Sequence, residues 1–164
     1  MISEKVSLSQ KVRLALQLAE ALDLLHSKNI CHGHLCPSNI FIQSMALKIG
    51  DFGLLALKKY MALSQDYTNK DVYTAPEMFD SKTRIVVTPT KEADIYSFGI
   101  ILFELLSLNL SYRKMTKDQL ERKMGIEGSR PKIPDDVDDR LASVVRQCWQ
   151  STSIKRPPAS HLCK

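Results

Sequence analysis

No apolar run in these 164 residues approaches the about 20 positions needed to cross a bilayer. The opening MISEKVSLSQ lacks the apolar stretch of a secretory leader. Neither a membrane span nor export is therefore expected. Four cysteines (Cys31, Cys36, Cys148, Cys163) in a chain without a leader predict reduced thiols and a cytoplasmic setting. Positive charge is not concentrated either. Lys and Arg number 23 against 18 Asp and Glu, but they are scattered, with no basic run or interleaved aromatics, which argues against nucleic-acid binding. The glycines never fall into a G-x-G-x-x-G pattern, so no phosphate-cradling loop is in view. Internal repeats and low-complexity tracts are also missing. What remains is one soluble domain's worth of chain, with 44% hydrophobic residues to build a core.

What is present centres on His32 to Gly53, HGHLCPSNIFIQSMALKIGDFG. Two short apolar runs, Ile40-Phe41-Ile42 and Leu47-Lys48-Ile49, flank Gln43-Ser44-Met45 and predict a small hairpin. A loop ending at Asn39 leads in and Asp51-Phe52-Gly53 leads out, which brings Asn39 near Asp51. Cys31, His32, His34 and Cys36 are all zinc-ligand types. Structural zinc sites combine ligand pairs from two separate segments, whereas these four crowd into six consecutive positions. Ordinary loop residues with one buried thiol are expected instead.

Helices are expected on both sides. Ser7-Leu8-Ser9-Gln10 fits a capping box. The helix it opens carries Val12, Ala15, Ala19 and Leu22 on one face, with Leu14, Leu18 and Leu25 beside them, and ends near His26-Ser27. Asn29 suits a left-handed cap. Ser81 to Thr90 reads as a linker, with Pro89 holding it extended or turned. Lys91 to Leu108 is apolar almost all round from Ile95 onward, the pattern of a buried helix. Thr116 to Gln119 is a second capping box, opening a polar helix to about Met124, and Gly125, Gly128 and Pro131 then break the chain. Asp136 to Gln150 predicts a helix with Val137, Leu141, Val144, Val145 and Cys148 inward.

The order of loop, hairpin and Asp-Phe-Gly resembles the protein kinase family, whose catalytic loop H-R-D-L-x-x-x-N precedes D-F-G. His32, Leu35 and Asn39 match that loop, Asp51-Phe52-Gly53 the magnesium motif, and Ala75-Pro76-Glu77 the A-P-E that closes the activation segment. Cys148-Trp149 followed by Arg156-Pro157 is similar to the tyrosine-kinase-like group. The resemblance runs from about Val6 to His161. It implies a mainly α fold: a kinase-like C-terminal lobe, a helical bundle around a buried central helix with a small β-hairpin. Residues 1–164 would be that lobe only, with the N-terminal lobe absent and the last helix truncated. It further implies that His26 is structural, that Asp94 accepts backbone hydrogen bonds from the loop, and that Glu77 pairs with Arg156. Leu54 to Asn69, with Ser64, Tyr67 and Thr68, would be the activation segment.

The departures bear on function. Gly33 stands at the loop arginine, His34 at the catalytic aspartate and Cys36 where many serine/threonine kinases carry lysine. The resemblance therefore implies a pseudokinase, with His34 inactive at the catalytic position and activation-segment phosphates lacking their arginine partner at Gly33. The H-G-x-L opening is also similar to kinase-homology regions of receptor guanylyl cyclases and some mixed-lineage-kinase-like pseudokinases. Asn39 and Asp51 keep residual Mg-ATP positions that would bind magnesium only weakly, and in the isolated lobe they are expected instead to hydrogen-bond the loop. No cofactor is expected for this chain, Mg-ATP being expected only with an N-terminal lobe. Phe52 and the hairpin should be partly bare, which points to protein partners, a kinase N-lobe or a signalling protein, and not to nucleic acid or membrane. The competing expectation is a fragment of a longer ATP-binding protein kinase.

Overall fold

The computed structural model describes residues 6–52, 71–79, 88–109, 112 and 115–164. Gly53, the stretch matched to the activation segment and most of the expected linker lie outside these.

The chain opens with α1 (Leu8–Ser27). Its capping box forms as the sequence implies: Ser7 Oγ accepts the Gln10 amide at 3.3 Å, and Gln10 Oε1 accepts the Ser7 amide at 2.9 Å. At the other end Asn29 adopts φ 57°, and the amides of Asn29 and Ile30 reach back to His26 O and Leu25 O, a paired stop at the last carbonyls of the helix. The apolar arc is wider than the contact it makes. Leu14, Leu18, Ala19 and Leu22 are buried, whereas Val12, expected inward, is exposed beside Leu8 and Leu16.

Strands β1 (Ile40–Gln43) and β2 (Ala46–Ile49) form the antiparallel hairpin. Gln43 pairs with Ala46, so the turn is only Ser44-Met45 and not the three residues expected. Both turn residues are left-handed, φ 49° and 64°, which matches the twist of a two-residue hairpin. Gln17 of α1 grips this turn: its Nε2 donates to Met45 O at 3.1 Å, and its Oε1 accepts the Leu47 amide at 2.7 Å. Ile40, Leu47 and Ile49 pack on the core, leaving Phe41 and Ile42 outward.

Helix α2 (Lys91–Ser107) is the centre of the molecule. Thr90 caps it, its Oγ1 accepting the Ala93 amide at 3.1 Å. Every residue from Ala93 to Ile100 is buried, as a helix without a polar face requires. It ends at Leu108, which is left-handed at φ 54°. The short α3 (Lys117–Leu120) has the expected Thr116 box, but the next six residues, Glu121–Ile126, continue as a π turn and not as the α-helix expected. Glu127 N reaches Arg122 O there, one residue further back than α geometry. Helix α4 (Asp139–Cys148) starts three residues later than expected because Asp138, not an earlier residue, is its cap. Ala142, Val145 and Cys148 are its buried face, while Val137, Leu141 and Val144 are half-buried. It packs on α2, with Trp149 against Phe103 at 5.5 Å. Helix α5 (Ala159–Leu162) lies on α1. Among the described residues no helix is long and apolar enough to cross a membrane.

Candidate functional site

The loop from His32 to Asn39 is held by one carboxylate. Asp94, in the first turn of α2 and only 1% exposed, accepts the amides of His32 at 2.7 Å and Gly33 at 2.8 Å. A third contact comes from the end of α1, where His26 Nε2 stands 2.9 Å from Asp94 Oδ2. A buried carboxylate is tolerated only when its oxygens are met this way. Gly33 sits at φ 77°, a backbone that side-chain-bearing residues resist, so glycine there is suited to the turn.

His32 is fully buried. Its Nδ1 accepts the His34 amide at 3.3 Å, which fixes the neutral ring with its proton on Nε2. Burial accordingly lowers the His32 pKa, with Asp94 and nearby backbone opposing. His34 is half-buried and lines a cavity of about 410 Å³ together with Asp71, Tyr73, Phe79, Ser97 and Lys117. At its rim, burial pushes the Asp71 carboxyl up and Lys117 opposes.

Asn39 is buried, and its Nδ2 donates to His34 O at 2.9 Å. Its own carbonyl accepts the Gly50 amide at 2.9 Å, which ties the loop to the residue before Asp51. Asp51 is exposed at φ 60°, and Phe52 beside it is 45% exposed. One carboxamide oxygen and one carboxylate are oxygen donors of the kind magnesium takes alongside phosphate oxygens and water. Among the described residues no three His, Cys, Asp or Glu side chains gather to hold a metal. Cys36 is buried with its Sγ 3.1 Å from Ser38 Oγ, and all four thiols are free.

The segment Asp71–Phe79 is bolted to α2. Ser97 Oγ donates to Tyr73 O at 2.7 Å, and Tyr73 Oη donates to Glu104 Oε2 at 2.7 Å. Arg156 forks onto Glu77 at 2.5 and 2.8 Å and donates to Glu92 O and Gln150 O. The two sides of the pair are unevenly buried. The Arg156 side chain is fully covered, but that of Glu77 keeps 30% of its surface.

The family model for protein tyrosine and serine/threonine kinases matches residues 2–164. The chain belongs to the protein kinase family. It is similar to the serine/threonine/tyrosine-protein kinase HT1 of Arabidopsis thaliana, 30% identical over 96% of this chain and 39% of that protein. It is 33% identical to the probable serine/threonine-protein kinase SIS8 of the same plant, over 90% of this chain and 14% of the relative. The RGS domain-containing serine/threonine-protein kinase A of Dictyostelium discoideum is 29% identical over 93% of this chain and 13% of its own length. The chain thus spans well under half of each of these kinases.

Four contributors to the kinase scaffold carry no motif that sequence reasoning picked out. Gln17 clasps the hairpin, Gly99 lets α2 and α4 approach, and Tyr96 takes two guanidinium groups on its ring. Arg130 binds the carbonyls of Met124, Ser129 and Trp149. Only Arg130 left a signal, as a cation beside Gly128 and Pro131 in a break with no other anchor.

Proposed function

We propose that this chain is the C-terminal lobe of a pseudokinase, a non-catalytic protein-interaction or regulatory module in cytoplasmic signalling. The supporting observation is His34. An imidazole stands at the loop position where the family uses a proton-accepting carboxylate, while Asp94 and Asn39 keep that loop in place around it. Imidazole is a competent base near neutral pH but brings no negative charge. Loss of a general base alone costs about 100- to 10,000-fold in rate. Gly33 removes the guanidinium with which an activating phosphate pairs. The bare Phe41, Ile42 and Phe52 supply apolar surface suited to a protein partner.

A second reading is ATP-dependent phosphotransfer to Ser, Thr or Tyr by a longer protein of which this chain is a part. The kinase names of its relatives and the survival of Asn39 and Asp51 favour it. Incubating the full-length product with labelled ATP and magnesium separates the two. The pseudokinase reading expects no transfer above background from the natural sequence and a gain on His34→Asp. Transfer by the natural sequence that disappears in Asp51→Ala overturns it in favour of the second.

A further inference from the structure

Two arginines from distant parts of the chain stand over one buried ring. Arg130 Cζ lies 5.2 Å and Arg156 Cζ 5.0 Å from the Tyr96 ring centroid, both within cation–π range. They also take neighbouring carbonyls at the end of α4: Arg130 Nε donates to Trp149 O and Arg156 Nε to Gln150 O, each at 2.9 Å. Beyond this shared seat they reach in different directions. Arg156 grips Glu77, whose segment lines the cavity beside His34. Arg130 Nη1 donates to Met124 O at 2.9 Å and Ser129 O at 2.8 Å, which closes the π turn after α3.

We propose that the Arg130–Tyr96–Arg156 stack is a coupling device that makes the order of the Met124–Arg130 loop and the order of the Asp71–Phe79 segment depend on each other. The physics is mutual. Two cations share one ring and one turn, and each is held there by its outer partner. If Glu77 lets go, the Arg156 charge is no longer offset and repels Arg130 more strongly across a low-dielectric seat. If Arg130 leaves, its share of the ring and of the turn carbonyls is given up, and Arg156 can shift toward them and away from Glu77. A protein docking on the loop after α3 therefore alters the wall of the cavity beside His34, and an occupant of that cavity alters the loop. Linkage requires the effect to be equal in both directions.

Native-state amide exchange on the whole chain tests this. Thr74 and Met78 report one segment through their bonds to Asp71 O and Ala75 O; Glu127 and Ser129 report the other through Arg122 O and Lys123 O. The hairpin amide of Gly50 serves as the reference for general loosening. Relative to Gly50, Arg130→Lys is expected to speed exchange at Thr74 and Met78 by about fivefold or more, and Glu77→Gln to do the same at Glu127 and Ser129. Ile154→Ala, an exposed change on the neighbouring turn, should move neither set. Effects confined to the mutated side overturn the proposal. So does a cross-effect of undiminished size in a Tyr96→Leu background, since it would then run through the packing of Pro76–Met78, next to Phe79, against Glu121–Ile126. Where Tyr96→Leu does not fold, Phe79→Ala decides: a cross-effect that persists supports the stack, and one that vanishes overturns it.

Discussion

Gly99 of α2 and Cys148 of α4 touch where no side chain fits between them: a methyl placed on Gly99 would lie 2.7 Å from Cys148 Cβ and 3.3 Å from the backbone at Cys148 and Trp149. Alanine is the better helix former by about 1 kcal/mol. Overpacking a rigid contact costs about 1–3 kcal/mol, and here backbone would have to move. Gly99→Ala is expected to destabilise by about 1–2 kcal/mol in urea unfolding. Pairing it with Cys148→Gly should recover part of the loss, because the nearest obstructing atom is then gone.

Asp94 is the acceptor on which the loop depends. Asp94→Ala strands the amides of His32 and Gly33 and the ring of His26, and each buried donor left unmet costs about 1–3 kcal/mol. A loss of at least about 3 kcal/mol is expected, with Asp94→Asn milder because it keeps one acceptor oxygen. Chemical denaturation of both variants, read against His26→Ala, ranks the three contacts.

For Glu77 and Arg156 the single and double changes should differ in kind. Glu77→Ala leaves a fully covered guanidinium without its anion, for which about 3 kcal/mol is expected, at the low end of buried pairs since Glu77 is partly in water. Replacing both with apolar residues of similar size should recover most of that loss. Thermal unfolding of the single and paired variants measures the difference.

The His32 ring gives the stability a pH dependence of known sign. Its folded-state pKa lies below the ordinary 6.5, so just under that value the unfolded chain binds more protons than the folded one. Its stabilising contribution is complete above about pH 7 and is lost as pH falls through 6.5 toward the folded value. Denaturant unfolding between about pH 5 and 8 should show stability rising with pH, and His32→Gln should flatten that rise.

Much of the fold can be read directly from the residues. Two capping boxes, a hairpin of two short apolar runs and a helix with no polar face each follow from local chemistry, and each forms in the stretch where those signals fall. The loop residues His32, Asn39 and Asp51 are legible because their order along the chain is distinctive. Contacts whose partners are far apart are legible only through the resemblance, as for Glu77 with Arg156 and Asp94 with the loop amides. Nothing around Gly99 says that Cys148 will press on it, and nothing near Arg130 names Tyr96 or Trp149. Local signals also misled where several candidates compete. Asp136, Asp138 and Asp139 can all open a helix, and it is Asp138 whose carboxylate accepts the Arg140 amide as the cap. Val12 is apolar and in phase with the buried face, yet it is exposed.

The donors that hold the His32–Asn39 loop lie 61 to 68 positions before their acceptor in sequence. A growing chain on the ribosome has therefore made α1 and both strands long before Asp94 emerges to organise the turn between them. Until then the backbone of Gly33 has no reason to settle in its left-handed bend. Loop order is a late reward of synthesis, and any truncation upstream of α2 would leave a hairpin and a helix joined by an unformed hinge.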